Sequence, residues 1–295
     1  MRPDEFDYVR ADSVDHALEL LADDPAAELL AGGHSFLPRL KRGHVDPDTV
    51  VDVGEIDALR GITGVDDGDA VRIGALTTYA TVEATDGLRP EAPALVEAVG
   101  ATADTQIRNR ATVGGNLVAP YPVSDLSAAA VAGDVTLVFE GVDGERRVEA
   151  EAFLRVPHAT VGATELLTRI EVPHATGAVG GAYVKRSSTT SRYTLLGVAV
   201  RLAVRDGTVS NAGVAVTGVT DHAVRLPSVE GALGGATLDG ETIAAAAAQA
   251  TADVDESTMK DDSEASAAFR ADVLPVETER ALERAAARAD ARPPA

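Results

Sequence analysis

The sequence predicts an α+β protein in two parts. In the first, short strands and helices frame two glycine-rich loops; the second is a three-stranded antiparallel sheet covered by helices. Three observations predict this. An apolar run of strand length leads into Gly32-Gly33, and a second Gly-Gly pair stands at residues 114–115. The stretch Gly177-Ala-Val-Gly-Gly181 interrupts the pattern and reads as a domain boundary. Beyond it, three β-rich runs separated by turn residues give way to Ala-rich helical sequence.

The elements follow in order. Residues 6–8 form a short strand, and Ser13 caps a helix to about residue 21 with Ala17, Leu18 and Leu21 on one side. Residues 28–31 and 48–53 are further strands, and residues 61–74 form a hairpin turning at Asp66-Asp-Gly68. Thr77 caps a helix to residue 84, and residues 92–99 form another. Residues 125–132 are helical, 135–139 and 146–148 pair around Asp143-Gly144, and the strand 166–172 stops at Pro173. In the second part, residues 182–185, 195–205 and 209–217 form the sheet; helices follow at 228–233, 239–251 and within 263–289.

The composition sets limits. The chain of 295 residues carries a net charge of −21, which repels phosphate backbones and argues against nucleic-acid binding. With no cysteine there is no disulfide, no thiolate nucleophile and no cysteine-ligated cluster. No apolar run is long enough to cross a bilayer, and the first residues lack a signal-peptide stretch, so a cytoplasmic location is expected. Acidic excess with only three lysines (Lys41, Lys185, Lys260) fits a halophilic cytoplasm, where salt screens the self-repulsion.

The two glycine loops carry the chemistry. Binding a phosphate-bearing ligand takes several backbone N–H groups converging on a small volume, which side chains obstruct and glycine permits. Leu30-Ala-Gly-Gly-His-Ser35 follows a strand, and Ser35 adds a hydroxyl. Ala111-Thr-Val-Gly-Gly-Asn116 repeats the Gly-Gly pair about 80 residues later, with Asn116 a further ligand or a loop-closing side chain. Neither has dinucleotide-fingerprint or P-loop spacing, and a Gly-Gly pair by itself is more often a turn. The five other histidines show no metal-ligand spacing, and no nucleophile-elbow motif is present. From residues alone, the reading ends at a ligand of diphosphate type.

Together these segments resemble the FAD-binding subunits of molybdenum hydroxylases, of the aerobic carbon monoxide dehydrogenase and xanthine dehydrogenase type. The likeness runs through Ala31-Gly-Gly-His-Ser-Phe-Leu-Pro38, Ala111-Thr-Val-Gly-Gly-Asn116, Pro122-Val-Ser-Asp-Leu126, Glu165-Leu-Leu-Thr-Arg-Ile-Glu-Val-Pro173, Ala182-Tyr-Val-Lys185 and the C-terminal Asp262-Ser-Glu-Ala-Ser-Ala-Ala-Phe-Arg270. It implies a PCMH-type FAD-binding domain over residues 1–176, with lobes of about 1–55 and 56–176. A C-terminal domain over 180–290 would complete the flavin pocket.

By position, Leu30, Ala31, Gly32, Gly33, His34 and Ser35 would line the pyrophosphate and ribityl chain. Thr112, Gly115, Asn116, Ser124 and Asp125 would hold the rest of the ribityl and the adenosine, Asp125 accepting from ribose hydroxyls. Leu167 would pack near the adenine. Lys185 would place a cation near the flavin, and Tyr193 would cover one ring face; plain packing and a helix N-terminal acid are the structural alternatives. Between Arg186 and Thr194 the chain departs from the family pattern. The implied role is electron transfer from a [2Fe-2S] small subunit to quinone, NAD or oxygen, beside a molybdopterin-binding large subunit, in a dimer of heterotrimers. The alternatives are a self-sufficient flavin oxidoreductase of the same fold and a flavin-less assembly scaffold.

Overall fold

The computed structural model describes residues 5–24, 26–65, 69–119, 124–155, 161–174, 176–189 and 193–290. The first lobe is a parallel three-stranded sheet in the order β1-β3-β2, formed by β1 (Asp7–Arg10), β2 (Glu28–Leu30) and β3 (Thr49–Asp52). Helix α1 (Val14–Asp23) connects the first two strands, and the Ser13 side chain accepts from the His16 N–H at its start. Its buried face is Ala17, Leu18 and Leu21, as the periodicity predicts. Helix α2 (Phe36–Lys41) follows the first glycine loop.

The second lobe is a five-stranded antiparallel sheet. Strands β4 (Ile62–Thr63), β5 (Ala70–Gly74), β6 (Thr136–Gly141), β7 (Gly144–Glu149) and β8 (Glu165–Pro173) lie in the order β4-β5-β8-β6-β7. Val71, Ile73, Leu137, Phe139 and Ile170 pack against the helices inserted between β5 and β6. Those are α3 (Tyr79–Ala84), α4 (Leu88–Glu91), α5 (Pro93–Gly100), α6 (Thr105–Arg108), α7 (Val113–Val118) and α8 (Asp125–Ala132); α9 (Ala150–Leu154) follows β7.

The C-terminal part is an antiparallel sheet in the order β12-β11-β10-β9, of β9 (Ala178–Ser187), β10 (Thr194–Arg205), β11 (Thr208–Thr217) and β12 (Val224–Arg225). Helices α10 (Pro227–Leu233), α11 (Gly240–Ala247) and α12 (Ala267–Asp290) cover one face around Val198, Val200, Leu202 and Leu282. The other face rests on the second lobe through α8, every residue of which is buried. Gly213 permits that closeness, since a Cβ there would lie 2.0 Å from the Ala132 carbonyl oxygen.

Four local expectations are corrected. Thr78, not Thr77, caps α3, accepting from the Thr81 N–H; the Thr77 hydroxyl bonds the Gly61 backbone across the lobe. The strand expected at 182–185 begins earlier, at Ala178, so β9 takes up most of the stretch 177–181. A Cβ on Gly180 would lie 2.0 Å from the Ala285 carbonyl oxygen, so glycine there allows α12 to sit on the sheet. The sheet gains a fourth short strand, β12, paired to β11. Gly114-Gly115 lies within the first turn of helix α7, which Thr112 caps. The predicted turn at Asp66-Asp-Gly68 and the Pro122-Val123 pair lie outside the described residues.

Candidate functional site

A cleft of about 520 Å³ opens between the two lobes of the first part. That is within the range of small-molecule and cofactor sites. Both glycine regions border it: Ala31, Gly32, Gly33, His34 and Ser35 on one side, Thr112, Gly114, Gly115 and Asn116 on the other. Leu167, from β8, and Val161, Gly162 and Ala163 complete an apolar end.

The chain reaches this arrangement by backbone-to-backbone packing. A Cβ on Gly32 would lie 2.2 Å from the Arg110 carbonyl oxygen, so the first loop lies directly on the entry to the second. Gly33 has φ +80°, a conformation that glycine adopts without strain. Gly114 lies against Ala75 at the end of β5, where a Cβ would meet the Ala75 Cβ at 2.6 Å.

The two loops differ in what they offer a ligand. Among the described residues, the N–H groups of Gly32, Gly33, His34 and Ser35 have no protein acceptor. Such unpaired donors beside a cleft fit a phosphate-bearing group, and the glycines keep the approach open. Loop two does not repeat this. Its Val113 N–H donates to the Thr77 carbonyl, Gly114 to Ala75, Gly115 to the Thr112 hydroxyl and Asn116 to the Thr112 carbonyl. Its glycines therefore serve close packing and a smooth floor, not an anion nest, and the Asn116 side chain accepts from the Ser124 hydroxyl.

Two residues that the sequence did not single out also line the cleft. Arg39 comes from α2, one turn after Ser35, and has no ion-pair partner among the described residues. Glu165 is held at 2.7 Å by Arg146 and at 2.8 Å by the Gly162 N–H. Arg146 keeps its carboxyl below the usual range despite partial burial. The position of Arg39 on α2 was the available signal for it; the Glu165 pair joins residues 19 apart and has no local signature.

The remaining predicted residues lie elsewhere. Leu30 ends β2 just behind the cleft, its carbonyl accepting from the Val53 N–H. Asp125 is 4% exposed, and its carboxylate is bonded within its own chain. Lys185 Nζ (2.7 Å), Thr194 Oγ1 (2.6 Å) and the Tyr183 hydroxyl donate to it, and the Thr102 hydroxyl, 3.2 Å away, shares its one proton with the nearer Ala98 carbonyl at 2.9 Å. Of the about four lone-pair sites that a carboxylate offers, its own chain thus engages at least three. Lys185 has its charge matched by Asp125 and a second bond to the Ala101 carbonyl. Tyr193 is 57% exposed and closes the base of the β9–β10 hairpin through its carbonyl, which accepts from Ser188. Among the described residues, the cleft is lined by residues between Leu21 and Leu167, with none from the C-terminal sheet. Of the divergent segment 186–194, residues 190–192 lie outside the described residues.

The lobes and cleft define an α+β chain with an interlobe site of cofactor size, and comparison with known proteins gives its family. Residues 4–175, more than half of the chain, match the family described as the FAD binding domain in molybdopterin dehydrogenase. Residues 182–285 match the CO dehydrogenase flavoprotein C-terminal domain. The carbon monoxide dehydrogenase medium chain of Hydrogenophaga pseudoflava is 34% identical over 254 residues, 85% of this chain and 88% of that one. The glyceraldehyde dehydrogenase medium chain of Sulfolobus acidocaldarius is 30% identical over 287 residues, 97% and 100% of the two chains. The solved structure of carbon monoxide dehydrogenase from Hydrogenophaga pseudoflava superposes with a TM-score of 0.89 at 34% identity, covering 98% of this chain and 99% of that one. The chain belongs to the FAD-binding family of molybdopterin dehydrogenases, as a FAD-binding medium subunit of the molybdenum hydroxylase type. No helix among the described residues is long and apolar enough to cross a membrane.

Proposed function

We propose that this chain holds FAD in the interlobe cleft and works as the electron-transfer subunit of a three-part molybdenum hydroxylase. It receives electrons from a [2Fe-2S] small subunit and passes them to quinone, NAD or oxygen; a molybdopterin-binding large subunit acts on the substrate. The assembly is a dimer of heterotrimers. The unpaired N–H groups of Gly32, Gly33, His34 and Ser35 beside the glycine floor carry this reading. The absence of cysteine supports placing the iron–sulfur clusters on other chains.

Bound FAD supplies the exchange between one- and two-electron transfer. The residues of this chain bind, orient and exclude water. Ala31 to Ser35 hold the pyrophosphate, Thr112, Gly115 and Asn116 support the ribityl and adenosine portion, and Leu167 packs near the adenine. Residues 1–176 form the FAD-binding domain, with lobes 1–55 and 56–176, and residues 180–290 the C-terminal domain. The charge of −21 supports work in a high-salt cytoplasm.

Purification of the native complex tests this. FAD absorbance near 450 nm is expected, with one large and one small cysteine-rich partner, and Gly33→Val should retain no flavin. A colourless wild-type protein that cannot be reconstituted would sink the flavoprotein reading in favour of a scaffold. Substrate turnover by the chain alone would sink the subunit reading in favour of a self-sufficient oxidoreductase.

A further inference from the structure

Arg201 is a buried cation whose charge is matched at a distance only. It sits in β10, 8% exposed, and one end of its guanidinium donates to the Pro173 carbonyl. Among the described residues its buried Nε has no hydrogen-bond partner. The two acids whose charges reach it are engaged elsewhere: Asp134 with Arg225 at 2.6 Å, and Glu91 with His174 at 2.9 Å. Burial pulls the pKa of Arg201 down, and those two charges offset this only in part.

A cavity lies against this side chain, with about 10 Å³ of room for the centre of one water-sized group. Residues 92–95 at the start of α5 border it, with Ala129 of α8 and Val172 of β8. Helix α5 has eight residues and no side-chain cap at Ala92. The Val96 N–H returns to the Ala92 carbonyl, but the N–H groups of Ala94 and Leu95 have no acceptor among the described residues. These two residues are only 5% and 2% exposed. Buried N–H groups are seldom left without an acceptor, and at a helix start they carry the positive end of its dipole.

We infer that Arg201 and the first turn of α5 hold one chloride ion between the second lobe and the C-terminal sheet. Arg201 Nε and the two N–H groups can only donate, which excludes a metal cation. The room admits one small particle, which excludes phosphate and carboxylates. Arg201 apart, the side chains around the cavity are apolar, so a water would find none to which it could donate its own protons. A halide needs no acceptor and supplies the charge that Arg201 lacks in contact. None of the cavity residues borders the interlobe cleft, so the ion serves the junction of the two parts and not the cofactor.

Thermal melts of the full chain at fixed ionic strength test this, with chloride replacing gluconate stepwise so that screening stays constant. The midpoint should climb and level off, by roughly 4 °C once chloride reaches about a hundred times its dissociation constant. Arg201→Gln should lose that chloride-specific rise; an undiminished rise in the folded variant overturns the assignment to Arg201. Wild-type crystals grown in bromide should show an anomalous peak beside Arg201 Nε and the Ala94 N–H. This measurement needs no variant and decides the question alone if Arg201→Gln does not fold. A cavity without a heavy-atom peak, or equal midpoints in chloride and gluconate, overturns the anion site.

Discussion

The carbonyl oxygen of Arg110 occupies the space where a side chain on Gly32 would begin: a Cβ there would stand 2.2 Å away. The two glycine regions, about 80 residues apart in sequence, therefore meet backbone to backbone. Gly32→Ala forces that contact open and spreads the two sides of the cleft. The expected result is a folded protein whose FAD dissociates at least about tenfold more readily, with stability lowered by about 1–3 kcal/mol. Flavin fluorescence titration with a thermal melt checks both. An alanine variant with wild-type affinity would show that the two loops do not act as one surface.

Arg39 gives a second expectation. It lines the cleft one turn beyond Ser35, in a chain of net charge −21 whose field opposes any anionic ligand. Because Arg39 is exposed, its attraction is modest and screened by salt. Arg39→Gln should raise the FAD dissociation constant roughly threefold near 0.1 M salt, and the difference should fade at molar salt. Titrations at the two salt concentrations decide; an equal effect at both would mean that Arg39 acts through packing and not charge.

Local signals mark what could be read in advance. Ser13 caps a helix because a short hydroxyl before an N–H-rich turn is a local signal. Gly32 and Gly33 were legible for the same reason, with a strand before them and a helical turn after. A glycine, however, serves a loop, an anion nest or a tight contact equally well. Gly180 lay in a stretch read as a domain boundary and is where α12 sits on the sheet; Gly114-Gly115 looked like a second nest and is the start of a helix with its N–H groups spent. The identity of Asp125 was visible, but its partners Tyr183, Lys185 and Thr194 lie 58 to 69 residues away, where local patterning carries no information.

Gly180 yields a stability prediction separate from the cofactor. A Cβ at this position would lie 2.0 Å from the Ala285 carbonyl oxygen and 2.8 Å from the Ala289 N, both backbone atoms of α12. Gly180→Ala must push the helix off β9, at a cost of about 1–3 kcal/mol. A lower unfolding midpoint is expected, with FAD affinity of the folded protein nearly unchanged, because α12 does not border the cleft. Calorimetry beside a flavin titration separates the two; a variant as stable as wild type would mean that α12 is free to slide.

His174, just after β8, ties three segments together and should make stability depend on pH. Its Nδ1 lies 2.9 Å from Glu91 Oε2, and its Nε2 lies 2.9 Å from the Gly64 carbonyl oxygen. Both neighbours accept, so the ring satisfies both by carrying two protons. Glu91 is the main cause that raises its pKa, Gly64 adds to it, and partial burial and the charge of Arg201 act the other way. A histidine whose folded value is raised binds its proton more tightly folded than unfolded. Its contribution is then fully present below the unfolded value of about 6.5 and is lost as pH rises through the raised folded value. The difference in unfolding midpoint between wild type and His174→Gln should therefore be largest below the reference value of about 6.5 and shrink as pH rises above it. Melts of both proteins on both sides of that value, at fixed salt, provide the check. A difference that grows with pH would place a neutral imidazole at this position and remove the charged pair with Glu91.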